Sequence, residues 1–560
     1  MKSDTQTSQV SRLEKAPSPR REVAILIAAT MFLLLPFICK PFHIDDPLYL
    51  WVAQRIREHP LDFFGFEVNW YFSGTQPMAL VINNPPFGSF FLAGVSLFAG
   101  WSESALHLGM LAPAVAAVLG TWRLARRFAA PPLLSALALL SLPGFLVSAT
   151  TLMPDVLATA LWCWAVVLWM EGLARDRIGA FAGAALLASA CVLTKFVGLG
   201  LIPLFLVHGA IVRRRPGIWL AVPVAVALVA LAYGSYVYSL YGIHPFAVVG
   251  AYSLKTRGEI SRLSNILVGL AFLGGTATTA AFVTPWLLSW RQIASFGLAA
   301  LVLAFFSFAS GVAYPQVTSH GARWLLIAHF VVFVWLGLQI ATLAVRRLAR
   351  AQDSDGVFLA CWIAGIFVFA AFANWTTNAR SLLPALPAIA ILLLGEAQRT
   401  AAAKNAERYL LLPIAFGAVI ALVVAQADYA LARSTWIAAK DLAPVARSWN
   451  GPACFIGFWG FQQYMESEGV RKASFPVSTL NPGTLVVHQQ SHDAPPDTGV
   501  RILERRQYPV SALASTQSLE RGSGFYSDVF GPVPFVFGQA PAYQFALGVI
   551  TQDASAPQSR

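Results

Sequence analysis

Two adjacent aspartates, Asp45 and Asp46, follow the first long apolar run, in Phe42-His43-Ile44-Asp45-Asp46-Pro47-Leu48-Tyr49. Acids are scarce in this chain, with 27 Asp and Glu in 560 residues. Holding one within an apolar helix costs on the order of 2.5–3.5 kcal/mol on insertion scales, so each that persists there needs a reason. Asp155, in Thr150-Thr151-Leu152-Met153-Pro154-Asp155, opens another apolar run. Two cations recur in similar places: Lys195 between two apolar runs, and Arg380 in Asn378-Ala379-Arg380-Ser381-Leu382. Carboxylates of this kind can take the proton from an attacking hydroxyl. Cations facing them can neutralise a phosphate, guanidinium by a bidentate fork. The combination suits group transfer with a phosphate leaving group.

Each residue also has a plain structural explanation. Asp46-Pro47 makes a good helix start, an acidic N-cap followed by proline at the first helical position. Leu48, Val52 and Ile56 then share one face of a helix lying along the membrane surface. That account covers Asp46 and leaves Asp45 for chemistry as the general base. Asp155 gains about 0.3–1 kcal/mol from a helix dipole in a first turn. Lys195 can snorkel to the surface.

The elements that carry these residues are apolar. The chain is 57% hydrophobic and 12% charged, with mean hydropathy +0.62, far from the balance of a soluble domain. Runs of bilayer-spanning length are expected near 23–40, 104–122, 131–149, 152–171, 178–194, 196–212, 217–240, 264–288, 292–313, 322–345, 357–373, 382–396 and 409–426. That is an all-α polytopic membrane protein of about thirteen transmembrane helices, with 86–100 as a juxtamembrane or re-entrant segment. The net charge of +12 does not point to nucleic acid, because arginines cluster in alternate short loops: Arg123, Arg126 and Arg127; Arg213 to Arg215; Arg346, Arg347 and Arg350. By the positive-inside rule those loops are cytoplasmic. The basic tail 1–22 precedes an uncleaved anchor rather than a signal peptide. Asp45, Asp155, Lys195, Arg380 and the loop 241–263 then share the outer face, where cations run against the topological bias. Lys255, Arg257 and Arg262 in that loop are further phosphate candidates.

The expected divisions are a tail over 1–22, a membrane domain over 23–430 that includes an outer loop at 41–103, and an outer soluble domain over 435–560. The last is richer in polar residues, and strands near Cys454–Phe458 and Thr484–His488 flank a helix near Phe461–Glu468, a small mixed α/β fold. Five cysteines without pairing or ligand spacing support neither disulfides nor zinc. A divalent metal could bridge the acids, but no complete ligand set is visible.

Taken in order, these motifs resemble the GT-C glycosyltransferases of the dolichyl-phosphate-mannose–protein mannosyltransferase and aminoarabinose (lipid A) transferase families. The series is Asp45-Asp46, then Asn83-Asn84-Pro85-Pro86, Ala105-Leu106-His107-Leu108, Met153-Pro154-Asp155, Leu193-Thr194-Lys195, and Arg380-Ser381-Leu382-Leu383-Pro384. Those families usually carry Asp-Glu in place of Asp45-Asp46, and lysine or histidine in place of Asn84. The resemblance implies inverting transfer of a hexose or pentose from a polyprenyl-phosphate donor to a hydroxyl of a lipid, glycan or protein, at the periplasmic side of a bacterial inner membrane. It implies catalytic roles for Asp45, Asp46 and Asp155, donor-phosphate contacts from Lys195, Arg380 and Arg257, and acceptor or sugar contacts from Asn83, Asn84 and Tyr71. A transporter or lipid flippase is the alternative, and it would place ionisable residues near mid-membrane and show paired repeats. The charges crowd the helix ends instead.

Overall fold

A computed structural model describes residues 18–70, 74–82, 84–258, 261–309, 319–350, 353–400, 406–473, 480–490 and 499–551. Every expected span falls on a helix or a broken pair of helices. Nine described helices are long and apolar enough to cross a bilayer, or ten if the bent pair Arg262–Thr276 and Ala280–Trp286 forms one span. The expected count of thirteen exceeds this because Pro19–Leu34, Pro132–Leu140 with Pro143–Ser148, and Ile178–Thr194 are short or interrupted. Proline cuts the second of these, since it cannot donate to the helix ladder. With a membrane part this apolar, the chain is an integral membrane protein.

Helices pack through small residues where backbones must approach closely. A Cβ added at Gly274 would lie 2.0 Å from the Phe333 carbonyl oxygen, and one at Gly337 2.2 Å from that of Leu270. Alanine at either position would drive the helices Arg262–Thr276 and His320–Ala349 apart. At one end of the bundle, Arg127 and His208 converge on Asp355. These three tie together the helices Glu103–Arg127, Leu201–Arg213 and Ser354–Val368.

The loop after the first helix, expected on the outer face, holds the helix Asp46–Glu58 and a short hairpin, β1 (Glu67–Asn69) with β2 (Thr75–Pro77). Leu48, Val52 and Ile56, expected to face the membrane surface, are buried within the protein, as are Tyr49, Leu50 and Ala53. The last membrane helix runs unbroken from Ala406 to Arg447, through the expected boundary near 430–435 and out of the apolar region. Beyond it lie β3 (Ala453–Ile456), the helix Trp459–Ser467, β4 (Arg471–Lys472), β5 (Leu485–Gln489), β6 (Val500–Tyr508) and β7 (Tyr543–Ile550). They form one mixed sheet in the order β4-β3-β5-β7-β6, parallel across β4-β3-β5 and antiparallel across β5-β7-β6. The domain grips the outer loop. Lys472 Nζ donates to the Asn69 carbonyl at 3.1 Å, and Trp51 Nε1 donates to Gln463 at 2.7 Å.

Candidate active site

The chain enters the site through a strained turn. Ile44 has φ of 48°, an outlier for a β-branched residue and of the kind that costs on the order of 1–3 kcal/mol. Asp46 holds the turn closed. Its Oδ2 accepts the His43 amide at 3.0 Å, and its Oδ1 accepts the Leu152 amide at 2.9 Å. It is not the N-cap that its neighbour Pro47 suggested. The helix begins at Asp46 itself, with Asp45 in the capping position and no side-chain capping bond. The reason is long-range: with the His43 and Leu152 amides bound, the Asp46 carboxylate is spent on joining the loop after the first helix to the loop that leads into Asp155.

That junction brings Asp45 and Asp155 to one cation. Arg380 Nη2 lies 3.3 Å from Asp45 Oδ2, and Nη1 lies 3.7 Å from Asp155 Oδ2. Lys195 pairs with the other oxygen of Asp155. Two of the three helices arrive with suitable ends. Asp155 opens Asp155–Arg175, where the dipole favours an acid, and Lys195 closes Ile178–Thr194, where it favours a cation. Arg380 stands near the start of its own helix, which is capped by Asn378 Oδ1 on the Ser381 amide at 2.7 Å. A cation there opposes the dipole, so its partners must hold it.

Exposure separates the two partners. The Asp155 side chain is 1% exposed, whereas that of Asp45 is 25% exposed. Asp45 is thus the carboxylate that a substrate can reach. Burial lifts its carboxyl above the usual range, against the pull of Arg380, and the charge on Asp155 adds to the rise. Burial pulls the Lys195 ammonium down, against Asp155. Arg380 Nε is buried and has no hydrogen-bond partner among the described residues. Tyr49 joins the rim, its buried hydroxyl accepting from Asn84 Nδ2 at 2.8 Å.

Arg257, read from sequence as a phosphate contact, is engaged elsewhere. It pairs with Asp528 at 3.4 Å and donates to Asn265 Oδ1 at 2.9 Å, Thr377 Oγ1 at 3.0 Å and the Asn374 carbonyl at 2.8 Å. These partners hold the loop 374–378 that delivers Arg380. Tyr71 and Asn83 lie outside the described residues. Among the described residues, no group of three or more His, Cys, Asp or Glu is arranged to hold a metal ion.

The model of a family described as dolichyl-phosphate-mannose-protein mannosyltransferase matches residues 83–238, the segment holding Asn83, Asn84, Asp155 and Lys195. No curated protein matches the sequence. ArnT from Cupriavidus metallidurans, in a structure bound to undecaprenyl phosphate, is similar at TM-score 0.52 and 14% identity, covering 97% of this chain and 100% of that one. The fold is that of a GT-C glycosyltransferase. The archaeal oligosaccharyltransferase AglB from Archaeoglobus fulgidus, in complex with an inhibitory peptide and a dolichol-phosphate, also matches, at TM-score 0.48 and 13% identity, covering 84% and 69% of the two chains.

Within the GT-C fold, sequence reasoning missed the support beneath the site. Lys40 and Asp428 are both fully buried and 2.5 Å apart, and Asp428 also accepts from Tyr526 and Thr516. An aspartate in the last apolar helix was a signal in itself, since buried acids are expensive. Tyr526, a tyrosine in a polar tail, left none.

Proposed function

We propose that this protein moves a sugar from a polyprenyl-phosphate donor to an acceptor hydroxyl at the outer, periplasmic face of a bacterial inner membrane. The observation that carries the reading is the reachable Asp45 carboxylate set against Arg380, Asp155 and Lys195 at the helix ends of a GT-C fold. Asp45 takes the proton of the acceptor hydroxyl as its oxygen attacks the anomeric carbon. The bond to the polyprenyl phosphate breaks on the opposite side, which inverts the centre. Arg380 and Lys195 stabilise the charge that develops on the departing phosphate, and Asp155 holds both cations in place. Asn84 and Tyr49 stand where a sugar hydroxyl can be bound. The lipid-bound partner of the ArnT structure is of the same chemical class as the proposed leaving group. The prenyl tail stays in the bilayer while the head reaches the site from the membrane surface.

The test is transfer by purified full-length protein in lipid nanodiscs, supplied with a panel of polyprenyl-phosphate sugars and envelope extract and followed by mass spectrometry. Asp45→Asn should lower turnover by about 10²–10⁴-fold, the span of general-base help, and leave donor binding in place. Full turnover in that variant refutes the assignment of the base.

A further inference from the structure

We infer that Tyr526, supplied by the C-terminal region, is a positioning residue for Arg380, locked in turn by the buried Lys40–Asp428 pair. This rests on the reading of Arg380 as the donor-phosphate contact.

The ring of Tyr526 lies 5.4 Å from the Arg380 guanidinium carbon, face towards the cation. Its hydroxyl donates to Asp428 Oδ2 at 2.7 Å. Asp428 is fixed from two further directions: Lys40 Nζ at 2.5 Å and Thr516 Oγ1 at 2.8 Å. Lys40 Nζ also donates to Thr150 Oγ1 at 3.1 Å, in the loop that leads to Asp155. The network thus spans the end of the first helix, the loop before Asp155, the last membrane helix and the C-terminal region. It meets the site at one point, the face of Arg380.

Backbone contacts show that the tyrosine belongs there. The Ala379 amide donates to the Phe525 carbonyl at 3.0 Å, and the Asp528 amide donates to the Thr377 carbonyl at 2.9 Å. The segment either side of Tyr526 is stitched to the segment either side of Arg380. Burial and the charge on Asp428 keep the phenol well above its ordinary pKa, so the hydroxyl remains a donor. The carboxylates of Asp45 and Asp155 hold the Nη edge of Arg380, and the ring covers one face. A tyrosine that only filled space would not need its ring face on the cation or its hydroxyl on a buried charge pair.

The experiment is a double-mutant cycle on full-length protein in nanodiscs, reading the affinity for undecaprenyl phosphate, with thermal stability recorded for each variant. Tyr526→Leu should weaken binding about 5- to 30-fold, the range of a desolvated cation–π contact. Tyr526→Phe keeps the ring but loses the bond to Asp428, so its loss should fall between wild type and the leucine variant. In an Arg380→Ala background, Tyr526→Leu should cause no further loss, because coupled residues are not additive. If the leucine variant does not fold, Tyr526→Met, of similar bulk without a ring, takes its place. Additive losses, or a phenylalanine variant as weak as the leucine one, overturn the role of Tyr526 while wild-type binding upholds the donor site. Wild-type protein that fails to bind undecaprenyl phosphate overturns both.

Discussion

Asp428→Asn is a demanding test of how the site is held. Lys40 and Asp428 are each fully buried and 2.5 Å apart. At an effective dielectric constant of about 20, a pair that close attracts by roughly 6–7 kcal/mol, most of which offsets the cost of taking both charges out of water. The amide keeps the shape and an acceptor for Tyr526 or Thr516 but leaves Lys40 as an uncompensated charge. Breaking one side of such a pair costs about 3–5 kcal/mol. Removing both charges with Lys40→Met and Asp428→Leu together should restore much of that loss, because two apolar side chains carry no unpaired charge. The assay is thermal denaturation of the detergent-solubilised protein, followed by the remaining monodisperse fraction for wild type, both single variants and the double variant. The single variants should melt several degrees below wild type, and the double variant should lie above the lower single one. An Asp428→Asn protein that melts with wild type would refute a buried charge pair. So would a double variant whose loss equals the sum of the singles.

Other outcomes follow from the same geometry. Asp45 must be ionised to act as a base, and its carboxyl is raised by burial while facing Arg380, Asp155, Lys195 and Tyr49. Turnover should therefore climb with pH through a midpoint above the ordinary Asp value of about 3.9, and a pH–rate profile with its acid limb at or below that value would contradict it. Asp46→Ala removes the acceptor of two backbone amides, each bond to a charged group being worth about 1.5–3 kcal/mol. Its main effect should be lost thermal stability, and unchanged melting would argue against the clamp. Arg257→Ala leaves Asp528 buried without its ion pair, so stability should fall while undecaprenyl phosphate affinity changes less than in Arg380→Ala. The reverse order would return Arg257 to the phosphate.

Composition and apolar periodicity were enough to show an integral membrane chain, because a helix must be long and apolar to satisfy its backbone in lipid. They left the number of spans open: Pro143 interrupts one apolar run, and the chain bends by 75° between Arg262–Thr276 and Ala280–Trp286. Asp45, Asp155, Lys195 and Arg380 stood out in the sequence because ionisable residues at apolar boundaries are costly, and the fold gathers all four. Asp46 looked like a cap because local sequence reports only local bonds. Its actual partner, the Leu152 amide, is 106 residues away. Arg257 looked like Arg380 until packing set it against Asp528. Residue type and the cost of burying charge determined which groups could do chemistry. Which carboxylate stays open to solvent, and which is buried against its cations, was decided only by the helices and the C-terminal region that close around them, since exposure is a property of the packed whole.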